Sequence, residues 1–262
     1  MTPTRDELER RRAQTCRLRP ELALTSLDEA EAFLHDRGLL TLTSNSALPS
    51  LFGAVHEEPY APGKSGFGAY PKTKWWWGGA LGRRDGVVTT KLHRGKTLYL
   101  SAETAGLVDP LCRSVLAEAE SNAHGDIARR IVEHLAAAGP SLVDDLKEEL
   151  ALDTKAFRAA RTRLEAAGAI VSTEVRVDVA GRHRHSSRIA RWDQAGVPTS
   201  EASTEDALAA IVVAGVRAAV IVERAEPPKW FAWRVDGPLL EALLETGSLV
   251  SVDQRTVTAA RG

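Results

Sequence analysis

One short pattern constrains this chain more than any other: the end of an amphipathic helix, then a glycine, then an apolar β-prone run. It occurs in FLHDRGLLTLTS (Phe33 to Ser44), RLEAAGAIVSTE (Arg163 to Glu174) and LLETGSLVSVD (Leu243 to Asp253). Gly38, Gly168 and Gly247 stand where a helix stops through a left-handed residue, a conformation glycine takes without a Cβ clash. The uneven separations, 130 and then 79 residues, exclude a solenoid. A winged helix runs from helix through glycine into strand after its third helix, so the chain is expected to reuse one small module.

The middle copy has the fullest context. Asp126 to Ala138 carries Ile127, Ile131, Val132 and Leu135 at helical spacing, and Gly139-Pro140 breaks it. Ser141 is expected to cap a short helix ending near Leu150, and Asp153 a third ending at Gly168. Phe157, Ala160, Leu164 and Ala167 form the buried stripe of that third helix, with Lys155, Arg158 and Thr162 opposite and Arg161 flanking. Ala169 to Val179 and Arg182 to Trp192 read as a hairpin turning at Ala180-Gly181. Three helices and a hairpin with short connections are the winged helix-turn-helix order.

The outer thirds follow more loosely. The first opens with a basic helix near Arg5 to Arg19. Ser26 and Glu29 form a capping box for a helix through Arg37, before a strand over Leu39 to Thr43 and a helix over Ala47 to Glu58. A Gly/Pro-rich loop over 59–71 leads to PKTKWWWGG, and Val87 to His93 and Thr97 to Ser101 flank the turn Arg94-Gly95-Lys96. The last third reads as a helix from Glu205 to about Ala214, a strand-like run to Val222 and a helix from Pro238 to Glu245. The expected fold is mainly α with small β-hairpins, an α+β chain of tandem winged helix-turn-helix units. The first unit is residues 1–120, with the tryptophan-rich insert and a basic hairpin. The central winged helix is 121–195, and a third winged-helix-like unit is 204–262, after a linker over Gly196 to Ser203.

Net charge is −1, so a polyanion-binding surface has to be local. It is concentrated in the middle hairpin, where Arg176, Arg182, Arg184, Arg188 and Arg191, with His183 and His185, face only Glu174 and Asp178. Beside Lys155, Arg158 and Arg161 on the third helix, these arginines suit phosphates of double-stranded DNA. The competing reading is a solvated hairpin paired with the acidic helix Asp144 to Glu149. A second basic tip, Lys91, His93, Arg94 and Lys96, is either a phosphate or groove probe or ordinary turn charge. Cys16 and Cys112 form no disulfide framework, and no Cys/His spacing suits a metal, so no metal or cofactor is expected. The start MTPTRDELERRR has no apolar signal region, and no run approaches ~18 apolar residues, which points to a cytoplasmic protein without a membrane partner.

Candidate chemistry is sparse. His56-Glu57-Glu58 is not HExxH, but Glu57 or Glu58 can act as a general base if a cleft buries it. On a strand, the Thr41 and Thr43 hydroxyls share one side and Leu42 takes the other. Trp75, Trp76 and Trp77 spread over about 200° on a helix and alternate on a strand, so not all three can enter one core. At least one is expected at a cleft or interdomain seam, as packing between units or as a base-stacking platform. Trp230 and Trp233 raise the same choice.

The order of a capped helix ending at Gly38, LLTLTS, SALPSLFGAVHEEPY, a loop, WWWGGALG, a basic hairpin and a middle winged helix resembles the AlkZ/YcaQ-type winged-helix DNA glycosylases. The resemblance runs from about Thr25 to about Gln254. It implies tandem winged-helix units around a DNA-binding cleft, and hydrolysis of the N-glycosidic bond of bulky alkylated or crosslinked purines. The family's basic hairpin would correspond to Lys91 to Lys96. Its catalytic Gln–apolar–Gln, or Gln–apolar–Asp, would fall on Thr41 and Thr43. A threonine hydroxyl is shorter, uncharged and a poor general base. Either Glu57 or Glu58 has taken over, or the hydrolysis is lost. A second function stays open: a non-catalytic winged-helix DNA-binding regulator whose tryptophan-lined cleft senses a small molecule.

Overall fold

Each third of the chain carries one three-stranded antiparallel sheet, and all three sheets share one strand order: first, third, second. The computed structural model describes residues 3–64, 66–179 and 182–260, with the backbone alone at 178–179 and 182–184. The first third comprises α1 (Arg5–Thr15), α2 (Leu27–Arg37), β1 (Leu39–Thr41), α3 (Leu51–Val55), α4 (Trp77–Leu81), β2 (Val87–His93) and β3 (Lys96–Ser101). A long α5 (Ala102–Glu120) leads to α6 (Asp126–Ala138), β4 (Ser141–Leu142), α7 (Val143–Glu149), α8 (Thr154–Ala167), β5 (Ile170–Val179) and β6 (Arg182–Arg191). The last third holds α9 (Thr204–Ala219), β7 (Val222–Glu223), α10 (Gly237–Glu245), β8 (Leu249–Ser251) and β9 (Thr256–Ala259). The run from α6 to β6 has the winged-helix order, and the chain is an α+β fold in which that arrangement recurs.

The recurring glycine pattern does not mark equivalent places. Gly168 and Gly247 lead into β5 and β8, the second strands of their sheets, but Gly38 leads into β1, a first strand. The junction in the first third that matches Gly168 is the one after α4, so WWWGGALG forms the third helix of that unit. The pattern misleads because a helix stop through glycine is the same local event whichever strand comes next. Gly38 and Gly168 do take positive φ, 78° and 101°. At Gly168 a Cβ would also lie 2.5 Å from Cys112 Sγ, so both backbone and space require glycine.

Several boundaries differ from the sequence reading for identifiable reasons. Ser141 does not cap α7: it pairs with Ile189 in β4, and its hydroxyl donates to the Gly139 carbonyl at 3.0 Å. The helix expected over 47–58 shrinks to α3, since Pro49 keeps the residue before it extended and Ser50 accepts from the Gly53 amide at 3.2 Å. His56, at φ 52°, stops it. The run after Ala214 is not strand, because Val216, Ala218 and Ala219 prolong the buried face of α9 up to Val220, at φ 71°. Asp153 does cap α8, accepting from Ala156 N at 2.9 Å.

α5 ties the thirds together. Ala105, Val108 and Cys112 pack into the core shared by the first and last sheets, while Val115, Leu116 and Ala119 enter the core of the middle unit. Buried Asp109 accepts from Trp192 Nε1, Ser200 N and Arg113 Nε, each at 2.9 Å, pinning the end of the hairpin and the linker after it to α5. Trp233 Nε1 donates to the Ala167 carbonyl at 3.1 Å, and Trp230 is fully buried, so both act in packing. Among the described residues no helix is long and apolar enough to cross a membrane.

Candidate nucleic-acid cleft

Three surfaces meet beside α4 around a cleft of about 430 Å³. The floor is one face of the first sheet. Alternation along β2 and β3, with Thr89 opposite Tyr99, brings Thr89, Lys91, Thr97 and Tyr99 to that face. One wall comprises Phe67, Tyr70, Trp75 and Trp76, with Leu42 and Phe52 below. The other, from the middle unit, is Arg161 of α8 with Ser172, Glu174, His185 and Ser187 of the hairpin. Glycines allow the close fit. The Tyr99 phenol donates to the Gly78 carbonyl at 3.0 Å, and a Cβ on Gly79 would lie 2.8 Å from Glu174 Oε2.

The tryptophan triplet divides. Trp77 is 4% exposed and belongs to the core under α4, with Lys74 Nζ 5.4 Å from its ring centroid. Trp77 therefore does not line the cleft. Trp75 and Trp76 are 42% and 47% exposed and do line it. Phe67 touches Tyr60, Tyr70 and Trp75, with centroids 5.1 to 5.6 Å apart. Tyr60, Phe67, Trp75 and Trp76 are four of the five exposed large hydrophobics among the described residues, so that apolar surface gathers at one edge of the cleft.

The opposite wall is polar. His185 Nδ1 lies 2.6 Å from Glu174 Oε1. Arg161 Nε donates to Glu165 Oε1 at 2.8 Å, and the Ser172 hydroxyl donates to the same oxygen. Lys91 Nζ donates to Thr97 Oγ1 at 2.6 Å. Burial pushes the Lys91 ammonium below its ordinary pKa, Glu165 opposes that shift, and Arg161 adds to it. Burial raises the Tyr99 phenol, which stays protonated and able to donate.

The expected catalytic residues lie elsewhere. Thr41 is fully buried, and its hydroxyl is directed at the carbonyls of Thr43 (3.1 Å) and Pro49 (3.3 Å). Thr43 Oγ1 accepts from Asn45 Nδ2 at 3.2 Å. Leu42 takes the cleft side of the sheet, so neither threonine lines the cleft. Glu57 accepts from the Thr73 and Lys74 amides at 3.1 Å each and from the Thr73 hydroxyl, tying down the turn that enters α4. Burial works against its ionised form, but these bonds outweigh it and hold the carboxyl below its usual range. That makes it a weaker base. Neither Glu57 nor Glu58 lines the cleft.

The expected cations also sort themselves. Lys155, Arg158, Arg176 and Arg188 are exposed, and no ion-pair partner stands beside them among the described residues. Arg176 and Arg188 occupy opposite faces of the hairpin, since Arg176 pairs with His185 and Arg188 with Thr173. Arg161 is engaged with Glu165, and Arg191 with Glu120 and Asp193. The side chains of Arg182, His183 and Arg184 lie outside the described residues. The second basic tip is anchored. Arg94 donates to the Pro228 carbonyl at 2.6 Å, and buried His93 sits between the Trp230 carbonyl (2.8 Å) and Asn45 Oδ1 (2.9 Å). Lys96 stays exposed, and Lys91 belongs to the cleft floor. Sequence reasoning missed Glu174 and Arg83 as cleft residues, although the glycines after the tryptophans signalled that something approaches α4 closely.

The fold compares with a solved structure, the Streptomyces sahachiroi DNA glycosylase AlkZ, with a TM-score of 0.59 over 99% of this chain and 71% of that one. Identity is 12%, so the likeness is one of fold. No curated protein matches the sequence. The sequence model of the AlkZ-related family matches residues 24–210, which span α2, the cleft and the whole middle unit. On that match, and on the arrangement that links WWWGGALG to the middle hairpin, the chain belongs to the AlkZ-related family.

Proposed function

We propose that this protein binds double-stranded DNA and releases a bulky alkylated purine from it, as a cytoplasmic repair glycosylase built of three winged-helix units (1–120, 121–195 and 204–262). The observation that carries the reading is the cleft itself. It sets the exposed indoles of Trp75 and Trp76 opposite a carboxylate–imidazole pair, Glu174 and His185. Its volume suits a small planar ligand. Stacking on tryptophan accepts any base and is worth about 1–3 kcal/mol per base. Lys155, Arg158, Arg176 and Arg188, with Lys96 farther along, supply positive charge for phosphates.

An N7-alkylated purine is already cationic and leaves readily, so the chemical demand falls on the sugar. Glu174 would offset positive charge developing at C1′ and accept a proton from the incoming water, while His185 holds the carboxylate in place. This takes the role away from Thr41, Thr43, Glu57 and Glu58. Removing a general base typically costs about 10²–10⁴-fold in rate. Glu174→Gln should therefore lose base release from a duplex carrying one N7-alkylguanine, at a loss of about 100-fold or more, while still binding it.

One observation favours the non-catalytic regulator: Leu42 faces the cleft, and the positions matching the family's catalytic side chains are turned away from it. Duplex binding by the wild type without base release would establish that alternative. Absence of duplex binding would overturn both.

A further inference from the structure

Lys91 stands in an unusual place for a phosphate-binding lysine. Lys155 and Lys96 are exposed, as backbone contacts require, whereas Lys91 is half-buried on the cleft floor. The other cations lining the cleft are guanidinium groups, Arg83 and Arg161, which cannot act as nucleophiles at neutral pH. Lys91 is the one primary amine among the described lining residues. Thr97 Oγ1 fixes its nitrogen at 2.6 Å, and the bed of Thr89, Thr97 and Tyr99 leaves it facing the open volume. The surroundings also ease loss of the proton: burial pushes the Lys91 pKa down, Glu165 opposes that shift and Arg161 adds to it.

We propose that Lys91 is a nucleophile that captures the sugar of an abasic site in duplex DNA as an imine. This rests on the reading that the cleft admits DNA, and adds an activity to base release. An abasic deoxyribose opens to an aldehyde at C1′. The lone pair of the neutral Lys91 amine attacks that carbon, forming the C–N bond as the carbonyl π pair moves to oxygen. The oxygen then leaves as water with the two amine protons, and C1′=Nζ remains. No oxidant or reductant is consumed. An abasic site is what base release leaves behind, so the amine would hold the product of the same cleft.

The test uses the full chain and a duplex with a single abasic site, treated with sodium cyanoborohydride, which converts an imine into a stable secondary amine. A covalent protein–DNA band should form, and peptide mass spectrometry should place the adduct on Lys91. Lys91→Arg, which keeps the charge, should lower the yield by about tenfold or more, with folding verified by thermal melting. Wild-type protein that binds the abasic duplex by anisotropy yet yields no adduct overturns the proposal and leaves the DNA reading intact. An adduct mapping to Lys155, Lys96 or another exposed lysine also overturns it. Failure of the wild type to bind any duplex overturns the DNA reading, and this proposal with it.

Discussion

Replacing Lys155 and Arg158 together with alanine tests whether α8 faces a duplex. Both side chains are exposed and have no ion-pair partner among the described residues, so their full charge is available to phosphates. Each phosphate contact on B-DNA contributes about 0.9 to the slope of log affinity against log salt, so losing two should flatten that slope by about 1.8. Referred to 1 M salt, the same relation makes the variant about 60-fold weaker near 0.1 M salt. Between 50 and 200 mM salt, the wild type should lose about 12-fold more affinity than the variant. Fluorescence anisotropy of a labelled duplex of about 20 base pairs, titrated at four salt concentrations, reads both quantities. Arg161→Ala is a poor substitute, because it strips buried Glu165 of its ion-pair partner. Parallel salt plots for wild type and variant would refute the placement of DNA against α8.

The same geometry sets other outcomes. Trp75→Ala with Trp76→Ala should weaken binding of an unpaired base by about 1–3 kcal/mol per lost stack and barely change the melting temperature, whereas Trp77→Ala should cost about 3–5 kcal/mol of stability; a urea titration beside the binding assay separates them. Gly168→Ala meets both a φ of 101° and Cys112 Sγ at 2.5 Å, and should lose about 2–4 kcal/mol by chemical denaturation. Asp253 ties the β8–β9 turn to α1: it accepts from the Arg255 and Thr256 amides at 2.7 and 2.8 Å and pairs with Arg5. The Arg255 and Thr256 bonds hold its carboxyl down at about 2. A lowered folded pKa gives stability that is present above the unfolded value, about 3.9, and is lost as pH falls toward 2. Acid unfolding curves of wild type and Asp253→Asn should converge in that window and separate above it.

Apart from the start of α7, the helices of the middle unit were legible because their boundaries carry their own chemistry. Gly139-Pro140 stops α6, Asp153 starts α8 and Gly168 ends it. The first unit was not, because Gly78, Gly79 and Gly82 look like helix breakers next to a tryptophan run. Here they lie on or against a short helix and let Tyr99, Glu174 and Thr89 approach it. The threonines misled for a different reason. Alternation does put Leu42 on the side opposite Thr41, but it does not say which side is the cleft: Leu42 takes it, and the Thr41 hydroxyl is turned to the Thr43 and Pro49 carbonyls. The cleft itself joins residues about a hundred positions apart, Trp75 to Glu174. No local pattern announces that pairing: the arginine excess drew attention to the hairpin, but the hairpin residues that line the cleft are Ser172, Thr173, Glu174, His185 and Ser187.

The claim on which the rest depends is that DNA occupies the space between the aromatic edge and the middle hairpin. Photocrosslinking with a duplex carrying 4-thiothymidine beside an N7-alkylguanine, combined with peptide mass spectrometry, tests it directly. Crosslinks in the segments 67–77 and 172–188 are the predicted result. Crosslinks confined to α1, α9 or the β8–β9 turn, with both cleft walls unmarked, would contradict it.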